Sequence, residues 1–292
     1  MARFGELLPA LDPYRIESNA QRVQEVRRSR RSDLATDIRR PGLSVIVLNK
    51  DRADLLDQLW SAWREVSATF ADREIDVELL VGDTGSTDAA ACALLDHPPP
   101  ACRVWRNLEY QFSRCNNDVF VSASYQHVLF MNNDVLIGEE PGALLRAYDL
   151  LIGDQATGVL GAVLFFPDGL VQHAGIDFFS RPDLCGFCHH PGAHGVVHVD
   201  QGDVFDAPAA TGAFLMMRSA HFASVGGFDE RFVAEAQDVD LCLRLHRKGL
   251  PTKVAHLGHL VHLENGTREL GEEHWDDRSL FVRRWSSYVE AL

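Results

Sequence analysis

The sequence contains no apolar run approaching the roughly 20 residues that span a bilayer, so no part of it reads as a transmembrane helix. Positive charge is also scarce. Among 292 residues, 28 Lys and Arg stand against 42 Asp and Glu, a formal net charge of −14. That balance argues against a nucleic-acid partner, because neutralising phosphates needs a basic face. No G-x-G-x-x-G follows the first β-rich run, and no G-x-x-x-x-G-K-[ST] occurs anywhere. Backbone cradling of a diphosphate is therefore not the expected mode of nucleotide binding. The six cysteines follow no signal peptide and read as reduced thiols. The expected location is cytoplasmic, or peripheral at the inner membrane face.

The composition is that of a globular protein, 46% hydrophobic and 24% charged. Residues 14–42 carry eight Arg against four acids at helical spacing and stop at Pro41-Gly42. This predicts an Arg-rich helical extension over residues 1–41, solvated and packed on the domain or touching an anionic membrane or partner. From Leu43, β-rich and helical runs alternate. "LSVIVL", "VELLVG", "CRVWR" and "HVLFMNND" read as strands, with helical spacing in "RADLLDQLWSAWREV" and near "SRCNNDVFVSAS". The pattern predicts an α/β fold with a mostly parallel sheet in the N-terminal half. Beyond it, "GVLGAVLFF", "LVQHAGIDFF" and "ATGAFLMMR" read as further strands, and "DVDLCLRLHRKG" as a helix closed by Gly249. The expected division is a domain over 42–268 and a C-terminal helical tail over 269–292.

Three polar clusters end strands in the first half: Asn49 to Asp51, Asp83 to Asp88, and Asn132 to Asp134. In a parallel sheet such ends share one edge, where open α/β sheets bind ligands. With no phosphate-binding glycine loop, a divalent cation gripped by a carboxylate is the natural substitute, and Asp134 is the candidate ligand. An ordinary turn also explains a strand-end "NND". Asp238 is expected just before a helix with Asp240 in its first turn, as an N-cap and a favourable dipole charge. The same carboxylate, directed into the crevice, would serve as a general base.

Taken together and in order, "LSVIVLNKDRADLL", "VELLVGDTGSTD", "FSRCNND", "VLFMNNDV", "GVLGAVLFFPDGLVQHAGI", "ATGAFLMMRSAHFASVGGFDERF", "DVDLCLRL" and "VHLENGTR" resemble the family 2 glycosyltransferases, in the bacterial surface-polysaccharide, rhamnosyltransferase-like branch. The resemblance runs from about Leu43 to Arg268. It implies a GT-A fold, a UDP- or dTDP-sugar donor, Mn2+ or Mg2+, a glycan or lipid-linked acceptor, and inversion at the anomeric carbon. It further implies that Asn49, Asp83, Arg114, Asn117, Asn132 and Asn133 hold the donor, that Asp134 and His262 hold the metal, and that Asp238 is the base. Asn132 departs from the family's D-x-D by replacing its first Asp. "FVRRW" near the C-terminus keeps only the last two residues of the Q-x-x-R-W of processive synthases, which argues against a polymerising enzyme. A sugar nucleotidyltransferase and a catalytically silent carbohydrate-binding or scaffold module remain the alternative readings.

"CGFCHHPGAHGVVH" contains C-x-x-C-H, formally a haem attachment pattern, and offers Cys185, Cys188, His194 and His198 at zinc-like spacing. The favoured reading is an acceptor-side loop with incidental Cys and His. His173, on an expected strand, reads as a satisfied core group or as a residue supporting the site.

Overall fold

A strand whose two faces are both covered must be apolar on both, and the first long run meets that demand. In the computed structural model, which describes residues 39–179, 188–195, 200–263 and 274–292, β1 (Arg40–Asn49) is buried almost throughout. Val45 and Val47 face one hydrophobic core while Ile46 faces a second on the other side. Of the extension expected over 1–41, residues 1–38 lie outside the described residues, and Arg40 and Pro41 open β1. Helix α1 (Ala53–Ala71) follows, burying Leu56, Leu59, Trp60, Trp63 and Phe70 along one stripe at 3.6-residue spacing. Then come β2 (Val77–Asp83), α2 (Ala89–Asp96), β3 (Cys102–Trp105), α3 (Phe112–Phe120) and β4 (Tyr125–Asn132). β1 pairs in parallel with β2 and with β4, and β2 with β3. These are the expected crossovers.

The second half is more broken than its sequence suggests. β5 (Val135–Leu136) leads to a helix that the sequence reading missed, α4 (Ala143–Gly153). "GVLGAVLFF" divides into β6 (Val159–Ala162) and β7 (Leu164–Phe165), because the chain leaves the main sheet at Val163 to join a second one. Short strands β8 (Val171–His173), β9 (Asp177–Phe178), β10 (Cys188–His189) and β11 (Val204–Ala207) precede β12 (Phe214–Arg218). The chain then forms α5 (Ser219–Ser224), α6 (Gln237–His246), β13 (Thr252–Ala255), β14 (Val261–His262) and α7 (Trp275–Val289).

The main sheet has the order β11-β13-β6-β12-β4-β1-β2-β3. β12 runs antiparallel to both β4 and β6, and β11 antiparallel to β13. The remaining six strands point one way, so the sheet is mixed but mostly parallel. A second sheet, β5-β14-β7-β8, brings β14 beside β5. The pairing His262↔Val135 therefore sets His262 one residue from Asp134, across a gap of more than 120 residues in the chain. Residues Arg39–Leu292 form one compact unit, and Phe281, Trp285 and Val289 of α7 are buried in its second core. The helix expected as a separate tail is thus built into the domain. Among the described residues, no helix is long and apolar enough to cross a membrane.

Candidate active site

The strand-end clusters do meet. Asn133 Nδ2 donates to Asn49 Oδ1 (3.0 Å), tying the end of β4 to the end of β1. Asp51 Oδ1 accepts from the backbone N–H groups of Thr87 (2.6 Å) and Asp88 (2.8 Å), which latches the β1–α1 loop to the loop after β2. Those two N–H groups hold the Asp51 carboxyl below its usual range. Above these loops opens a cavity of about 900 Å³, a size suited to a cofactor-sized ligand. Asn49, Asn132, Asn133, Asp134, Asp238 and His262 all line it.

At one end, His262 is fixed by an amide. Its Nδ1 lies 2.6 Å from Gln172 Oε1, while Gln172 Nε2 donates to the His262 carbonyl (3.1 Å), so the amide can only accept from Nδ1–H. In the neutral ring this leaves Nε2 as a lone pair, and Asn132 Nδ2 sits 3.3 Å from it. Nε2 also lies 3.1 Å from Asp134 Oδ1, with both side chains mostly buried. Either a proton on Nε2 or a cation lying against both atoms satisfies that arrangement. An imidazole nitrogen beside a carboxylate oxygen suits a divalent ion of the manganese type, so the residues present fit a metal. Among the described residues, no group of three or more His, Cys, Asp or Glu side chains gathers as a metal site. Cys185 and His198 lie outside the described residues, and His194 stacks on Phe166 at 4.8 Å between ring centroids.

Asp238 lines the same cavity. It is not the helix cap expected from the sequence: α6 begins at Gln237, capped by Ala236 in a left-handed conformation (φ 63°), which places Asp238 inside the first turn. Its Oδ2 accepts from Gly212 N–H (2.7 Å) and its Oδ1 from Val239 N–H (2.8 Å). A side chain at Gly212 would meet Phe112 at 3.3 Å and Asp238 Oδ2 at 3.4 Å, so glycine permits this close approach. The Asp238 side chain is partly exposed to the cavity. Asp240 has a different environment. It is fully buried, accepting from Arg244 Nε (2.7 Å), Arg284 (2.8 Å) and Trp285 Nε1 (2.9 Å).

Three residues expected at the donor site are not on the cavity wall. Asp83 is fully enclosed, accepting from Ser86 N–H (3.1 Å) and its hydroxyl and pairing with Arg106 Nε (3.1 Å), so it orders the loop after β2. Asn117 spends its amide on Phe228 N–H and C=O (each 2.9 Å) and on Glu230 Oε1 (3.1 Å), locking the loop over 226–230. Arg114 pairs loosely with Glu109 at 3.7 Å. Helical phase explains the difference: Phe112 and Asn116, four apart on α3, line the cavity, whereas Arg114 and Asn117 do not. The same spacing would have selected Asn116 from the sequence.

His173 is 1% exposed, with Nε2 accepting from the N–H groups of Gly175 (3.2 Å) and Thr211 (3.4 Å) and Nδ1 lying 2.8 Å from His190 Nδ1. Burial, then the neighbouring His190 and His262, holds it neutral well below the ordinary histidine range. Burial also lowers His221. Such groups bind fewer protons folded than unfolded, so their contribution is complete above about pH 6.5 and is lost as pH falls below it. The melting temperature is expected to drop by several degrees between about pH 7.5 and 5.5, and His173→Gln to flatten that slope. An unchanged slope in the variant would contradict the assignment.

Comparisons with known proteins agree with this architecture. No protein-family model matches the chain. It is 32% identical over 240 residues to the O-antigen biosynthesis protein RfbC of Myxococcus xanthus, an overlap of 78% of this chain and 18% of that protein. It is 33% identical over 76 residues to the rhamnosyltransferase WbbL of Escherichia coli K12, 25% of each chain. The matched part thus spans no more than about a quarter of either relative. Among solved structures, GalNAc-T7 with UDP, GalNAc and Mn2+ superposes with a TM-score of 0.58 at 11% identity, covering 94% of this chain and 57% of that one, a likeness of fold. Sequence similarity, the order of the polar strand ends and the mixed sheet agree: the chain has the GT-A fold and is similar to the family 2 glycosyltransferases.

Proposed function

We propose that the chain transfers a sugar, with inversion, from a UDP- or dTDP-sugar to a hydroxyl of a glycan or lipid-linked acceptor, in bacterial surface-glycan synthesis. One observation carries the reading: a single cavity is lined by both the Asp134–His262 pair and the partly exposed Asp238. Asn49, Asn132 and Asn133 lie at the donor end, where amides hydrogen-bond a nucleotide without adding charge. Asp134 and His262 would hold Mn2+ or Mg2+, which when bound neutralises charge building on the departing diphosphate. Gln172 orients His262 for that task through its Nδ1–H.

Asp238 takes the proton from the acceptor hydroxyl as the hydroxyl oxygen forms its bond to the anomeric carbon and the bond to the diphosphate breaks. The two N–H groups on Asp238 hold its oxygens in a fixed direction. One carboxylate suffices for this direct displacement, unlike the pair needed in glycoside hydrolysis. Aromatic side chains of Tyr110, Phe112 and Phe281 on the remaining wall offer faces against which sugar rings exclude water.

A thermal-shift series with UDP and dTDP, each with and without Mn2+, tests the donor half. The expected result is a rise in melting temperature that requires nucleotide and cation together, since a ligand bound only by the folded state stabilises by mass action. No shift with any nucleoside diphosphate would contradict the reading.

A further inference from the structure

The segment that carries Asp238 lacks the usual means of starting a helix. Ala236 sits in the left-handed region (φ 63°), and its side chain supplies no cap. For a residue with a Cβ this conformation is strained and persists only where neighbours enforce it. The enforcement comes from 40 residues later in the chain. Asp277, 3% exposed on the first turn of α7, accepts from the N–H groups of Val233 (3.1 Å), Ala234 (2.7 Å) and Glu235 (2.9 Å). One carboxylate therefore gathers three successive backbone donors immediately before the strained residue. Arg278 adds a pair with Glu235 (2.8 and 3.2 Å), and Arg284 reaches Asp229 (2.7 Å) and Asp240 (2.8 Å). The chain is thus clamped by α7 both before and after Asp238.

We infer that Asp277 is a positioning residue for Asp238, and that α7 is part of the reaction machinery; this rests on the reading of Asp238 as the base. Without the Asp277 carboxylate, three converging N–H groups lose their acceptor, and the Arg278–Glu235 pair is left to hold the chain before Ala236. The first turn of α6 then shifts, and with it the direction of the Asp238 carboxylate relative to Gly212 N–H. A displacement of about 1 Å in a reacting group costs on the order of 10²-fold in rate. The donor end is insulated from this movement, because Asn49, Asp134 and His262 stand on β1, on the β4–β5 connection and on β14.

The test uses the full chain with Asp277→Asn, which removes the charge that strengthens the three bonds and puts an NH2 group at one of the two oxygen positions. Hydrogen exchange by mass spectrometry, transfer kinetics and UDP–Mn2+ affinity are measured beside the wild type. The expected result is exchange at least about tenfold faster in residues 233–239, with β1 and β4 unchanged. In kinetics, kcat falls by about 10- to 100-fold, while the UDP–Mn2+ dissociation constant stays within about threefold. Unchanged exchange and kcat in the folded variant overturn the inference, as does a loss of nucleotide affinity in step with kcat. If the wild type transfers no sugar, the activity reading is what has failed, and the exchange data still report whether the clamp exists; unchanged exchange then overturns the clamp as well. Should Asp277→Asn not fold, Asp277→Glu, which keeps the carboxylate and displaces it, carries the same measurements.

Discussion

Asp238→Asn is expected to lower sugar transfer by about 10³-fold, close to 4 kcal/mol of barrier, while the protein keeps its fold and its nucleotide affinity. Asn matches Asp in shape and keeps an oxygen to accept from Gly212 N–H, so the first turn of α6 survives. It cannot take a proton from an incoming hydroxyl. The contrast between lost turnover and retained binding is what separates a base from a helix-starting residue. An Asp238→Asn protein that transfers at the wild-type rate would return Asp238 to a structural role. A wild type that binds nucleotide but transfers to no acceptor would favour the silent carbohydrate-binding alternative.

Asp134→Ala is expected to weaken the apparent affinity for Mn2+, measured in the presence of UDP, by at least about 100-fold and to reduce transfer in proportion. With Asn132 in place of a first acidic residue, the strand-end "NND" presents one carboxylate where two are common, so little else at that end of β4 compensates. His262 gains its place only because β14 pairs with β5. His262→Ala should therefore weaken the metal in the same direction while leaving the Asn49–Asn133 contact intact. Full retention of Mn2+ dependence in both variants would place the cation elsewhere. Asp154 and Asp229, both held below the ordinary carboxylate range by Lys253 and Arg231 respectively, stabilise the fold above about pH 4. Metal titrations near neutral pH are thus unaffected by their protonation.

Much of the N-terminal half was legible because β1, β2 and β4 are covered on both faces and announce themselves as continuous apolar runs. Their polar ends could be assigned to one edge because consecutive parallel strands leave little choice. The second half hid more. β11 and β13 are four-residue strands, recognisable only once they pair with each other and with β6. α4 carries an ordinary amphipathic pattern in "ALLRAYDLLIG" that the reading passed over. On α3 the phase sets Asn116 on the cavity wall, while the expected Asn117, about 100° further round the helix, bonds to the loop over 226–230. Asp277 gave no local signal at all, since its three partners lie more than 40 residues away. Asp favours helix starts, so the sequence points to Asp238 as a cap as well as a base, whereas the left-handed Ala236 sets the start of the helix two residues earlier.

The most direct test is an anomalous-diffraction map recorded near the manganese absorption edge on crystals grown with UDP and Mn2+. The account requires one strong peak in contact with both the Asp134 carboxylate and His262 Nε2, with diphosphate density beside it and Asp238 facing it across the same cavity. A peak bound by other side chains, or nucleotide density without any peak at Asp134, would contradict it.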